Sequence, residues 1–133
     1  AFVGFVSFIV MLLLVTPAEW ILEDRDERGQ IEIHLPEQMP EAFVCNCDLT
    51  AGLLMLELEK RGISVPEDVS VVGFDNYLYP GFPDLKITSY EINTKAMVKV
   101  ALEKALKQIR GAASGKNMEI VSGQLVPKES VKL

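Results

Sequence analysis

Three short apolar runs end on side chains that can hold a polar ligand. VVGFDN (71–76) closes on Asp75-Asn76, AFVCNCD (42–48) on Cys47-Asp48, and AEWILEDR (18–25) on Asp24-Arg25. A carboxylate accepts hydrogen bonds in several directions, an amide donates and accepts, and a guanidinium donates in a planar fork. Such groups grasp a small molecule rather than break its bonds. An aspartate at the end of a buried run either closes its own turn or helix end, or holds something. Reaction chemistry finds little support. The chain has no G-x-S-x-G, phosphate loop or metal-ligand cluster, and His34 sits in a polar, proline-flanked stretch. Neither an enzyme nor a cofactor or metal site is expected.

Cys45 and Cys47 are the two cysteines. On an extended chain they share one face, with Cα atoms roughly 6.5–7 Å apart, at the edge of disulfide geometry. Zinc would need two more ligands, and His34 is the single histidine. Reduced thiols in a cytoplasmic protein are expected.

The elements that must position these residues follow from composition and periodicity. The chain has 133 residues, 49% hydrophobic and 24% charged, enough for one globular domain. A net charge of −6, with no cluster of Lys and Arg, excludes a nucleic-acid surface on this segment. AFVGFVSFIVMLLLV (1–15) is the one long apolar run. At about 1.5 Å per residue it reaches about 22 Å, short of a hydrocarbon core of about 30 Å. It lacks the basic flank and cleavage site of an export signal. A buried strand running into a remnant of a buried helix is expected there, with no membrane span.

AEWIL (18–22) reads as a strand before the charged turn 23–29, and AFVC (42–45) as another. Asp48, in the N-cap position, then precedes a helix over 49–61 that Gly62 ends. VPED (65–68) is a turn, and VSVVGF (69–74) suits a strand covered on both faces, as parallel sheets require. Residues 77–93 form a proline-broken loop with a strand-like piece near Ile87. Residues 94–111 form an amphipathic helix with Met97, Val98, Ala101, Leu102, Ala105 and Ile109 on one face. MEIVSG and QLVPKES follow as two short strands. Strand–helix alternation predicts an α/β fold, a parallel sheet flanked by helices. Ligands bind outside the carboxyl ends of such strands, so the ends at Asp24-Arg25, Cys47-Asp48 and Asp75-Asn76 would converge on one rim.

The stretch AFVCNCDLTAGLLMLELEKRGISVPEDVSVVGFDN resembles the effector-binding domain of LacI/GalR bacterial transcriptional regulators. VPEDVSVVGFD matches the family run over eleven consecutive residues. LKITSYEIN resembles the family's Leu-Thr-Thr segment, and QLVPKES its closing Leu-Val-x-Arg-x-Ser, with Lys128 for arginine. The resemblance implies two periplasmic-binding-protein-like (type I) lobes closing on an effector, and allosteric control of DNA binding through a helix-turn-helix headpiece. It also implies a homodimer and a small-molecule effector such as a sugar, nucleobase or phosphorylated metabolite. The chain departs from the family in opening on an apolar run where a headpiece would stand. The first lobe is almost wholly missing, so the chain reads as a fragment. Residues 1–90 and 118–133 would belong mainly to the C-terminal lobe, and 91–117 to a first-lobe helix and connection. The alternative is a periplasmic sugar-binding protein of an ABC transporter, which shares the fold.

By this resemblance Asp75 aligns with the family aspartate that hydrogen-bonds effector; the competing role is a turn aspartate bonding its own backbone. Asp48 aligns with the second residue of an Asn-Asp pair, and reads as a helix cap or an indirect ligand contact. Cys47 replaces the family asparagine, a weaker hydrogen-bonding group. Arg25 stands where relatives carry a stacking aromatic. Either it pairs with Asp24 and Asp26 at the surface, or it meets an anionic effector bidentately. Asn76 completes the candidate set. Trp20 reads as core or interface, and Tyr77 and Tyr79 could line the crevice rim.

Overall fold

The computed structural model describes residues 21–23, 25–80, 85–111 and 118–132. They fall into two compact units, one of residues 21–91 and 124–132 and the other within 92–123. The strand–helix unit expected over residues 1–15, with Trp20 and Asp24, lies outside the described residues.

The larger unit is built on a four-stranded sheet in the order β1 (Ala42–Val44), β2 (Ser70–Asp75), β3 (Thr88–Glu91), β4 (Gln124–Val126). β1 runs parallel to β2, with Phe43 opposite Val71, and β2 runs parallel to β3, with Gly73 opposite Ser89 and Asp75 opposite Glu91. β4 is antiparallel to β3, with Tyr90 opposite Leu125. The expected all-parallel sheet is thus mixed and mostly parallel. QLVPKES contributes only its first three residues as strand, and MEIVSG forms none. Period-two apolarity signals a strand but carries no information on which edge it joins or in which direction. Similarly, Ile21 and Leu22 take no strand pairing. The charged turn beyond them closes through a bridge between Arg25 and Ile31 and through Asp26, whose carboxylate accepts from the Arg28 and Gln30 amides.

Helix α1 (Asp48–Lys60) covers one face of the sheet. Ala51, Leu54 and Leu58, at helical spacing, meet Val69, Val71 and Ile87 to form the buried core, with Phe43, Cys45, Ile63 and Leu85 packed around it. Burying side chains of this size contributes about 1.5–3 kcal/mol each. β2 was expected to be covered on both faces. Instead Val71 and Gly73 are buried, whereas Val72 and Phe74 are only half-buried, and Phe74 stacks on Tyr90 at 5.6 Å.

The helix ends as expected. Gly62, at φ 72°, follows the cap residue Arg61, and the Gly62 and Ile63 amides close on the Glu59 and Leu58 carbonyls. This is a Schellman motif with its apolar contact supplied by Ile63. The closing KES segment is tied across the sheet by buried Ser130. Its hydroxyl donates to the Val71 carbonyl at 2.6 Å and accepts the Thr88 amide at 2.8 Å, joining β2 to β3.

In the other unit, α2 (Thr94–Ile109) starts on Asn93, whose side chain accepts from the Ala96 amide at 3.0 Å. The helix is amphipathic in the expected register, yet none of its residues is buried. Val98 is 63% exposed and Ile109 80%. No helix among the described residues is long and apolar enough to cross a membrane.

Candidate functional site

The parallel strands β1 and β2 deliver two polar residue groups to their carboxyl ends, Cys47-Asp48 after β1 and Asp75-Asn76 at the end of β2. The chain breaks off β2 abruptly because both Asp75 and Asn76 adopt left-handed backbone, at φ 92° and 51°. Side chains other than glycine seldom sit there, Asp and Asn more readily than most. Such strain, about 1–3 kcal/mol per residue, persists only where neighbours hold it.

The neighbours here are specific. Asp48 is 8% exposed. Its Oδ1 accepts the Ser89 hydroxyl at 2.7 Å and its Oδ2 the Tyr77 amide at 3.0 Å. Ser89 in turn accepts the Asn76 amide at 3.0 Å. Asp75 shares the Tyr77 amide, which also lies 3.0 Å from its Oδ1, while its Oδ2 accepts the Tyr79 hydroxyl at 3.0 Å. The Asn76 side chain accepts Lys128 Nζ at 2.8 Å and donates to Glu91 at 3.2 Å; Gln124 donates to the other Glu91 oxygen at 2.6 Å.

Electrostatics follow from this crowding. Burial pushes the Asp48 carboxyl above its ordinary 3.8; Asp75 adds to the push, while Ser89, the Tyr77 amide and Lys128 oppose it. The hydrogen bond to Asp75 pushes the Tyr79 phenol up to about 12, with burial and the charges of Asp75, Cys47 and Asp48 contributing. A cavity of about 210 Å³ adjoins the cluster, lined on its polar side by Asp48, Asn76, Tyr77, Tyr79, Lys86 and Lys128.

The structure therefore brings Asp48, Asp75 and Asn76 into one hydrogen-bonded cluster. Asp75 makes the Asx-type contact to the residue two ahead and keeps acceptor capacity, because an ionised carboxylate offers about four sites. Asp48 does not cap α1. Cys47 occupies the N-cap position without a side-chain bond to the helix's backbone amides, and the Asp48 oxygens are turned to β3 and the chain after β2. A carboxylate whose two oxygens already accept from Ser89 and the Tyr77 amide has no reason to turn back on its own helix. Cys47 lies with its Sγ 3.5 Å from Thr50 Oγ1, and Cys45 and Cys47 are not joined in a disulfide. Arg25 is not brought to the cavity beside Asp48. It donates to the Gly29 carbonyl and lines a separate depression with Asp26, Glu32 and His34. Among the described residues no group of His, Cys, Asp and Glu is arranged to hold a metal.

Sequence reasoning missed Ser89, Gly73 and Lys128 as members of this cluster. Gly73 was legible only as an interruption in an apolar run; a Cβ there would collide with Asp48 Oδ1 and lie 3.2 Å from Ile87 Cγ2.

A mostly parallel sheet with a polar cluster outside the carboxyl ends of its strands defines an α/β lobe of the ligand-binding class. The chain belongs to the periplasmic binding protein-like domain family, whose profile matches residues 10–131. Among its relatives is the arabinose metabolism transcriptional repressor of Geobacillus stearothermophilus, 32% identical over 97 residues that cover 72% of this chain and 27% of that protein. A LacI-type transcription regulator from Bifidobacterium animalis subsp. lactis superposes with a TM-score of 0.63 at 30% identity, over 71% of this chain and 34% of that one. A periplasmic binding protein/LacI transcriptional regulator from Alkaliphilus metalliredigens, complexed with D-xylulofuranose, gives 0.60 at 26% identity, over 70% and 35%. The chain thus spans about a third of the length of the relatives it matches. These relatives bear out the likeness to LacI-type regulators and favour it over a transport-protein reading.

Proposed function

We propose that this chain is the small-molecule effector-sensing portion of a bacterial LacI-type transcriptional regulator. Asp75 and Asn76 are its effector-facing groups, with Cys47 beside them. The observation that carries this reading is the position of Asp75. It closes VPEDVSVVGFD at the carboxyl end of a parallel strand, on a left-handed turn, with acceptor sites to spare. Carboxylates so placed suit vicinal hydroxyls or ring N–H groups, so the effector is a sugar or nucleobase-like molecule. The arabinose-related repressor and the xylulofuranose complex among the relatives support the sugar class. A phosphorylated effector would draw on Lys128, since Arg25 lines a different depression.

In this reading there is no bond-making step. The effector shifts a population between two states that differ in DNA affinity, and DNA is contacted through a helix-turn-helix headpiece rather than this acidic segment. The unit within 92–123 is first-lobe material, the regulator is a homodimer, and it works in the cytoplasm.

The test is anisotropy of a labelled duplex from the promoter beside its own gene, titrated with the full-length protein and a panel of pentoses, hexoses and nucleosides. Saturable, salt-sensitive binding that one panel member shifts is the expected result. Binding that no member alters, or no specific binding at all, contradicts the proposal.

A further inference from the structure

Asp48 is the most deeply engaged ionisable group in the cluster, and nothing in ligand contact alone accounts for its surroundings. Both of its oxygens are used internally, one by Ser89 on β3 and one by the Tyr77 amide just past β2. The Tyr77 amide is also the donor that Asp75 needs to close its turn. Ser89 holds the amide of Asn76, the second left-handed residue. The same carboxylate therefore reaches the two consecutive amides that follow Asp75, one directly and one through a hydroxyl. Space for it is cleared by Gly73, two residues before Asp75 on the same strand, where a Cβ would strike Oδ1.

We propose that Asp48 is a positioning residue: through Ser89 and the Tyr77 amide it holds the Asp75–Asn76 turn left-handed and so aims the Asp75 carboxylate. This rests on the reading of Asp75 as the effector-holding group. Without the lock, Asp75 is free to relax toward ordinary right-handed backbone, because left-handed residues persist only when over-determined by their surroundings. The Asp75 side chain would then leave the Tyr79 hydroxyl as well. The role needs an acceptor toward both Ser89 and the Tyr77 amide; asparagine has one carbonyl oxygen and an NH2 that only donates, so it keeps one of the two contacts.

Two readouts need no ligand, so a failure of this proposal is separable from a failure of the effector reading, which would appear as an Asp75→Asn variant that binds effector normally. In the full-length protein, amide exchange at Tyr77 should rise about tenfold or more in Asp48→Ala, as for one lost hydrogen bond to a charged group, and exchange at Asn76, held through Ser89, should rise with it. The Val71 amide, on the same strand but held by Ser130, should not change. The Tyr79 phenol should titrate well below about 12 in the same variant, because its bond to Asp75 dominates that shift. Asp48→Asn, which keeps one of the two acceptors, should fall between Asp48→Ala and the parent. Ser89→Ala, which leaves Asp48 in place, should raise exchange at Asn76 and serves if Asp48→Ala does not fold. Unchanged exchange at Asn76 and Tyr77 in Ser89→Ala or Asp48→Ala overturns the proposal, as does an Asp48→Asn variant indistinguishable from Asp48→Ala.

Discussion

Asp75 accepts one hydrogen bond from the backbone and one from a phenol, so it closes its own turn and still has acceptor capacity left. The turn contact thus leaves room for the proposed ligand role on the same carboxylate, and two titrations separate its effects from those of Asp48. Asp75→Asn removes the main cause of the Tyr79 shift, so the slowest-titrating phenol, followed by absorbance, should fall from about 12 toward its ordinary 10.0. If it stays near 12, the contact is not made in solution. For Asp48 the sign runs the other way from a salt-bridged aspartate. Its folded-state pKa is raised, so the fold binds this proton more tightly than the unfolded chain does. Its contribution is most favourable below 3.8 and is lost as pH rises from 3.8 through the raised value. The stability of the parent relative to Asp48→Asn, from urea melts, should therefore decrease across that window. A difference that grows with pH would mean that the hydrogen bonds outweigh burial.

At the level of elements, α1 and β2 were legible because each carries a local signal: apolar spacing with a glycine stop, and an apolar run bounded by turns. The direction of β4 and the work of Ser130 were not, because β4 depends on β3 far back in the chain and Ser130 on partners 42 and 59 residues away. Periodicity cannot encode a pairing at that separation. Ser130 is 1% exposed and serves a donor and an acceptor at once. Ser130→Ala should cost about 1–3 kcal/mol, the penalty for leaving a buried group unsatisfied. A chemical melt that shows less than a few tenths would mean that water replaces the hydroxyl. The two helices should respond oppositely to truncation. Leu58→Ala, in the core, should destabilise by about 2–5 kcal/mol, whereas Leu102→Ala on α2, 58% exposed, should stay within about 0.5 kcal/mol. A large loss at Leu102 would show that another surface covers that face.

Across the whole molecule, the polar cluster sits beside the places where the chain leaves the larger unit, after Glu91, and returns to it, at Gln124. Asn76 and Gln124 both bond Glu91, at the end of β3. Sequence placed Asp75 and Asn76 at the rim because strand ends are local. It could not reveal that Asp48, 41 residues before Ser89, is the brace behind them. The claim on which the account turns is that Asp75 holds the effector. It is tested most directly by calorimetric titration of the full-length protein and its Asp75→Asn variant, beginning with D-xylulose and the aldopentoses, with thermal melts alongside. The variant should melt like the parent and bind about 1.5–3 kcal/mol more weakly, as expected for lost hydrogen bonds to a charged group. Equal affinity in a variant that melts several degrees lower would contradict it, and would make Asp75 a turn residue alone.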